Sequence, residues 1–499
     1  MAARFGWPGW PGAGLAFGLG AVIATGQASL GFWWLTLAGL AALMHLVTRG
    51  NGSGAGWLAL FGGAGYFALA LSWIIEPFLI DVARYGWMAP FAVVLLSFGL
   101  AVFWAAAGLL AGLMPARPLR VMTFAVALGA VELARGYVLT GFPWALIGHV
   151  WIETPMAQVA GLVGPSGLTV LTVLAVALPV AFRWSGLAAG AAILAAGMAF
   201  GVQRLAEADP PARDVMVRLV QPNADQKVKW NPDMARTLFD RQVGFTAALP
   251  RPDLVIWPET AVPYLLENNP DVARAIAFAA GGMPVVTGVQ RYDGTEARNG
   301  LVVIGAGGAI DATYDKHHLV PFGEYIPFGD LMYDWFGVQA FAARLGNGYV
   351  AGPGPQVIDL GGKLGSFAPL ICYEAVFPQD LRGLPTRPDW ILQITNDAWF
   401  GTLTGPYQHL AQARFRAIEQ GLPLVRVANT GITAMIDARG RVVAALPRGK
   451  AGYLDAGLPG AMAATPYARW GEVPVLVLLA GLALWLVAWR SLDVAAAQA

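Results

Sequence analysis

The sequence predicts a multi-span α-helical membrane domain with a polar α/β domain inserted before the last membrane helix, and three observations carry that prediction. Of 499 residues, 57% are hydrophobic and only 13% are charged, against about 45–50% and about 25% in soluble domains. The apolar residues gather in runs near the 20 or so residues that a helix needs to cross a bilayer. Between 214 and 450 the pattern changes to short β-branched runs separated by turn residues and amphipathic helical stretches, as in layered α/β domains.

Eight apolar runs are candidate spans, at about 12–28, 31–48, 55–78, 88–114, 118–136, 156–183, 186–204 and 473–490. The first two are short and glycine-rich and divide near Gln27. Arg4 precedes the first run, but no small-residue cleavage pattern follows it, so an uncleaved helix is expected in place of a signal peptide. With the N-terminus inside, the inner segments hold Arg4, Arg49, Arg117, Arg120, Arg183 and Arg490, and the short outer segments hold only Arg84 and Arg135. Basic residues are retained on the cytoplasmic side, so both termini are expected there. The expected division is a seven-span domain at 1–204, an extracytoplasmic domain at 205–470, and an eighth span with a short tail at 471–499.

Within the polar domain the strands expected are Val215–Gln221, Asp253–Trp257, Pro284–Val289, Leu301–Ile304, Leu364–Ile371, Trp390–Ile394, Leu424–Ala428 and Thr433–Ile436. Helices are expected at 231–248, 270–280 and 406–420. The apolar, aromatic segment 328–346 has no clear caps or turns and reads as a loop that leans on the membrane.

A net charge of +1 with scattered basic residues argues against nucleic acid as a partner. The single cysteine excludes an intrachain disulfide, and no cysteine and histidine spacing fits a zinc site. The adjacent His317 and His318 read as loop scaffolding, since neighbours on a strand point opposite ways. Glu132 and Arg135, three apart on one helix, read as a structural pair.

Three stretches each place one reactive group just after an apolar strand: LVIWPETAVP with Glu259, YDKHHLVPFGEYIP with Lys316, and APLICYEAVFP with Cys372. A thiol is a weak nucleophile until deprotonated, its free pKa being about 8.5. A buried carboxylate can take that proton, and an ammonium can face a tetrahedral oxyanion. Taken alone, Cys372 reads as a small buried hydrophobe, Glu259 as a turn cap and Lys316 as a solvated charge. Their order and contexts together carry the functional reading.

That order resembles the nitrilase superfamily, and a nitrilase-like domain between membrane helices resembles the apolipoprotein N-acyltransferase family. Further pieces match along nearly the whole chain: TGFPW at 140–144, TNDAWFG at 395–401, QHL at 408–410, RAIE at 416–419 and NTGIT at 429–433. Leu422 departs from the arginine many relatives carry. The resemblance implies an α-β-β-α sandwich with Glu259 as base, Lys316 as oxyanion partner and Cys372 as nucleophile. It implies supporting roles for Glu324, Tyr373 and Glu374, and a place for Trp230 at the substrate entrance. It also implies a monomeric bacterial inner-membrane enzyme without metal or cofactor, its catalytic domain on the periplasmic side. That enzyme moves a fatty acyl group from a phospholipid, phosphatidylethanolamine, through a thioester to the α-amine of the S-diacylglyceryl-cysteine of lipoproteins. The rival readings are a membrane-tethered amidase and a transport or scaffolding protein with a degenerate domain. The segment 328–346 and the loop Trp399–Thr404 are the expected lid or lipid-facing rim.

Overall fold

A computed structural model of the chain describes residues 7–50, 52–327 and 348–498, with side chains as far as Asp493. The segment 328–346 lies outside the described residues. The chain forms two compact units, one of Met1–Ala208, Phe400–Glu419 and Ala464–Ala499, the other of Asp209–Trp399 and Gln420–Ala463.

The first unit is helical, and its apolar helices mark a membrane protein. Among the described residues three helices are long and apolar enough to cross a bilayer, within Val82–Gly112, Pro155–Ala206 and Val473–Asp493. A fourth stretch, Ser53–Ala70 with Ser72–Leu79, is bent by 49°. Gly9–Ala24 and Trp33–Val47 are apolar but shorter, and Arg117–Arg135 carries four charged residues. The long helix Ala160–Ala206 breaks at Arg183, whose φ of 56° and ψ of −124° are not helical. A Cβ on Gly186 would sit 2.0 Å from the Leu178 carbonyl oxygen, and one on Gly190 would sit 2.3 Å from that of Ala175. The two halves therefore fold back on each other, which separates the sixth and seventh apolar runs.

Small residues let the membrane helices approach closely, as expected where lipid offers no hydrophobic drive. A Cβ on Gly65 would meet the Phe17 carbonyl oxygen at 1.9 Å. Polar side chains fasten the connections. Gln27 is buried at the division of the first two runs and donates to Tyr66 Oη (2.7 Å) and the Leu146 carbonyl (2.9 Å). Glu132 and Arg135 pair at 2.7 Å, both buried; Trp104 Nε1 also donates to Glu132 at 2.8 Å. Arg135 additionally donates to the Phe142 and Trp144 carbonyls, so every element of this buried pair is satisfied by structure. Phe400, from the expected rim loop, packs its ring on Trp73 and His409 at 5.0 Å within this unit.

Among the described residues the second unit holds twelve strands in two six-stranded sheets. In the first, β1 (Met216–Gln221), β2 (Leu254–Ile256) and β3 (Val285–Asp293) are parallel neighbours. On one side β4 (Glu296–Ile304) and β5 (Ile310–Asp315) continue antiparallel, and on the other β12 (Gly452–Gly457) pairs antiparallel with β1. In the second sheet, β7 (Ser366–Ile371), β8 (Trp390–Thr395) and β9 (Leu424–Ala428) are parallel. It is flanked by β6 (Ile358–Asp359) at one edge and by β10 (Thr433–Ile436) and β11 (Val442–Leu446) at the other. The sheets meet where β1 faces β9 and β4 faces β7. β8 and β9 are buried at every residue, as central parallel strands covered on both faces are. Helices Pro232–Ala247 and Pro270–Ala280 cover the first sheet, with Phe239, Ile276 and Trp257 in the shared core.

All eight expected strands form, within a few residues of their expected limits. Four were not expected, and they are the four sheet edges: β5, β6, β11 and β12.

Candidate active site

Glu259, Lys316 and Cys372 come together in the second unit, all within 6% of full burial. Glu259 lies beyond the end of β2 and Cys372 directly follows β7. Lys316 differs from expectation. It follows β5, an edge strand of sequence IDATYD whose first four residues are largely exposed. Its position is fixed instead by its backbone, since the Lys316 N–H donates to the Asn299 carbonyl at 2.9 Å.

Cys372 has φ of 52° and Thr260, next to Glu259, has φ of 45°. Both are in the left-handed region, which costs a residue bearing a Cβ of the order of 1–3 kcal/mol and recurs at sites that must aim a side chain. The turn Cys372–Val376 is held by Glu374, whose Oε2 accepts from the Ile371 N–H at 2.7 Å. Its Oε1 accepts from Tyr314 Oη and the His317 N–H, each at 2.8 Å. Glu374 thus ties the Cys372 turn to the segment carrying Lys316. Tyr373 is buried beside Phe377, their ring centroids 4.9 Å apart.

Lys316 Nζ lies 2.8 Å from Glu324 Oε2 and 3.8 Å from Glu259 Oε1. Asn299 Nδ2 bridges the two carboxylates, donating to Glu259 Oε1 at 2.8 Å and Glu324 Oε1 at 2.9 Å. The other Glu259 oxygen accepts from the Asn396 N–H at 2.8 Å. Burial raises the Glu259 pKa, opposed chiefly by Lys316. Burial also works against the Lys316 charge, but Glu324 and Glu259 outweigh it and keep the ammonium protonated. The Cys372 pKa is raised by burial first and by the Glu259 charge next, while Lys316 and a hydrogen bond with Thr395 pull the other way. The resting group is a thiol. Such a thiol reacts only if its proton leaves as the carbon–sulfur bond forms, which a neighbouring carboxylate can accomplish.

Asn299 and Thr395 were not anticipated. Asn299 lies in β4 just before its apolar run, and Thr395 is the last residue of β8; both are buried. Trp230 is half-buried, with the Lys229 ammonium 5.4 Å from its ring centroid.

The two histidines do not diverge as expected. They follow the last residue of the β5 ladder, so strand alternation no longer governs them, and both reach Asp380 Oδ2, at 3.4 Å from His317 and 3.3 Å from His318. Their ring nitrogens and Asp380 lie within 4.8 Å of one another. His317 Nδ1 also sits 2.7 Å from Glu374 Oε1. Burial disfavours the charged ring, but the Asp380 and Glu374 carboxylates outweigh it and carry the His317 pKa from 6.5 to about 10. A pKa raised on folding adds stability that is complete below the unfolded value and fades as pH rises through the folded one. The unfolding midpoint should therefore fall between pH 6.5 and about 10. Thermal melts across that range should show the fall in the wild type and a flatter profile in His317→Gln.

Residues 19–178 match the family described as apolipoprotein N-acyltransferase N-terminal domain, and residues 246–467 match carbon-nitrogen hydrolase. An apolipoprotein N-acyltransferase from Bradyrhizobium diazoefficiens is 39% identical over 95% of this chain and 94% of its own. One from Caulobacter vibrioides is 38% identical over 94% and 93%. Among solved structures, an amidase of the nitrilase superfamily from Nesterenkonia aligns with 53% of this chain and 96% of its own, at 17% identity and a TM-score of 0.38. The similarity to the curated relatives runs through both the apolar helices and the domain with the buried Cys372, and the chain belongs to the apolipoprotein N-acyltransferase family.

Proposed function

We propose that this protein transfers a fatty acyl group from a membrane phospholipid, phosphatidylethanolamine, through a thioester on Cys372 to the α-amine of the N-terminal S-diacylglyceryl-cysteine of lipoproteins. The observation that carries the reading is family membership along the whole chain, joined to a buried thiol beside a buried carboxylate and ammonium. In the first half-reaction Glu259 takes the Cys372 proton as Sγ attacks the ester carbonyl. The tetrahedral oxyanion faces Lys316, and collapse expels the lysophospholipid alkoxide, which receives the proton from Glu259. In the second half, the acceptor amine attacks the thioester carbonyl and gives its proton to Glu259. Cys372 leaves as a thiolate and is reprotonated. Two acyl transfers through one enzyme-bound thioester give ping-pong kinetics.

Glu324 and Glu374 support the site from behind: Glu324 holds the Lys316 ammonium, and Glu374 holds the Cys372 turn. Trp230 contributes to the substrate entrance, and Tyr373, packed on Phe377, supports the Cys372 turn. Eight crossings with both termini cytoplasmic would place the domain on the periplasmic face of the inner membrane, as a monomer. Membrane anchoring supports a lipid donor, because it concentrates that reactant beside the thiol.

The rival is a membrane-tethered amidase that releases its acyl group to water. Incubation with labelled phospholipid and a diacylglyceryl-cysteinyl peptide should give N-acylated peptide as the main labelled product. Free fatty acid without acylated peptide would sink the transferase reading.

A further inference from the structure

A second lysine is buried at the same site. Lys229 is 7% exposed, and among the described residues its ammonium makes one hydrogen bond, from Nζ to Thr260 Oγ1 at 2.9 Å. Thr260 is the left-handed residue next to Glu259. Lys229 and Glu259 line one small cavity together with Leu238, Gln242 and Asn429. An ammonium taken from water and held by a hydroxyl and the face of the Trp230 ring, 5.4 Å away, is costly unless an opposite charge lies near, and buried charges of this kind gather at functional sites.

The charges of the site explain what holds it. Glu259 and Glu324 are two buried carboxylates joined by Asn299, and Lys316 pairs closely with only one of them, at 2.8 Å against 3.8 Å. Lys229 supplies the second positive charge on the Glu259 side. We propose that Lys229 is a positioning residue for the reaction, holding the Glu259 turn through Thr260 and keeping the Glu259 carboxylate ionised as the base. This inference rests on the assignment of Glu259 and Cys372 above.

The groups that titrate or carry charge around Glu259 are Lys316, Glu324, Lys229, Cys372 and Tyr349. Facing Lys229, Glu259 is the charged partner that acts on it, while Asp225 and Lys227 on its own loop are exposed. Burial lowers the Lys229 pKa to about 8 and Glu259 opposes this, so the cation is present at neutral pH and fades above it. Removing it leaves the Glu259 carboxylate with less compensation. Its pKa then rises, and the basic form appears only at higher pH.

The test is the rate of thioester formation from phosphatidylethanolamine in detergent micelles, followed by quenched intact-mass measurement from pH 5 to 9. Lys229→Met should move the acid limb up by about one pH unit, a loss of about tenfold at the acid end. Lys229→Gln, which keeps a donor for Thr260, should show the same shift. Thr260→Val, which keeps the charge and removes the hydrogen bond, should slow the reaction with the acid limb in place. A wild-type acid limb in either folded Lys229 variant would overturn the proposal, as would an equal shift in Thr260→Val, which would reduce Lys229 to a structural clamp. Cys372→Ala is run alongside. An adduct in that variant would overturn the nucleophile assignment, whereas none there, with unshifted Lys229 variants, would overturn the role of Lys229 alone.

Discussion

Replacing Cys372 by alanine should remove acyl-enzyme formation and lower peptide acylation by about 10⁴-fold or more, the scale of losing a covalent nucleophile. Folding should be little affected, because the thiol is small and the turn is held by Glu374 through the Ile371 N–H and Tyr314, while the change removes the hydrogen bond between the sulfur and Thr395. Glu259→Gln should approach the same loss with the thiol still in place. The buried thiol has a raised pKa, so without the Glu259 carboxylate its proton leaves far less readily. Rates with labelled phospholipid, set beside thermal melts, separate this outcome from unfolding. A Cys372→Ala enzyme retaining more than a few per cent of wild-type turnover would contradict the account.

Lys316→Met should combine a catalytic and a structural loss. The side chain is 1% exposed and lies between Glu324 at 2.8 Å and Glu259 at 3.8 Å. Removing one partner of a buried ion pair costs about 3–5 kcal/mol, because the other charge is left uncompensated. In solution the two carboxylates would respond by taking up a proton, which also disables Glu259 as a base. Losing an oxyanion donor costs a further 10²- to 10³-fold or so in turnover. The unfolding midpoint of Lys316→Met should therefore recover partly as pH is lowered and the carboxylates protonate, while activity does not recover. Lys316→Arg should retain more stability than activity, since the guanidinium keeps the charge but not the compact ammonium geometry. Melting curves and initial rates for both variants across pH check this; full activity in Lys316→Met would remove Lys316 from the chemistry.

The central strands could be read from the chain because burial on both faces demands largely apolar runs, broken in WILQIT of β8 and LVRVA of β9 by Gln393, Thr395 and Arg426. The edge strands could not. β11 is exposed or half-buried at every residue and β5 over its first four, so neither face imposes a pattern on the sequence. β12 is held partly by a side chain that no local pattern reveals: Arg218 on β1 grips Asp455 through two hydrogen bonds of 2.7 Å. In the site, the charged members stood out as reactive groups in apolar strings. Asn299, Thr395 and Lys229 did not, because an amide, a hydroxyl and a loop lysine gain their meaning only from the groups that folding brings against them. The convergence of His317 and His318 on Asp380 was equally hidden, since it arises where the chain leaves the ladder after Asp315.

The most direct test of the account is the intact mass of the wild-type protein after incubation with phosphatidylethanolamine of a single acyl composition, followed by addition of a diacylglyceryl-cysteinyl peptide. The expected result is one fatty acyl adduct, labile to hydroxylamine, located on the peptide containing Cys372 and discharged in step with N-acylated product. An adduct elsewhere in the chain, or a Cys372 adduct that persists while the peptide is acylated, would contradict it.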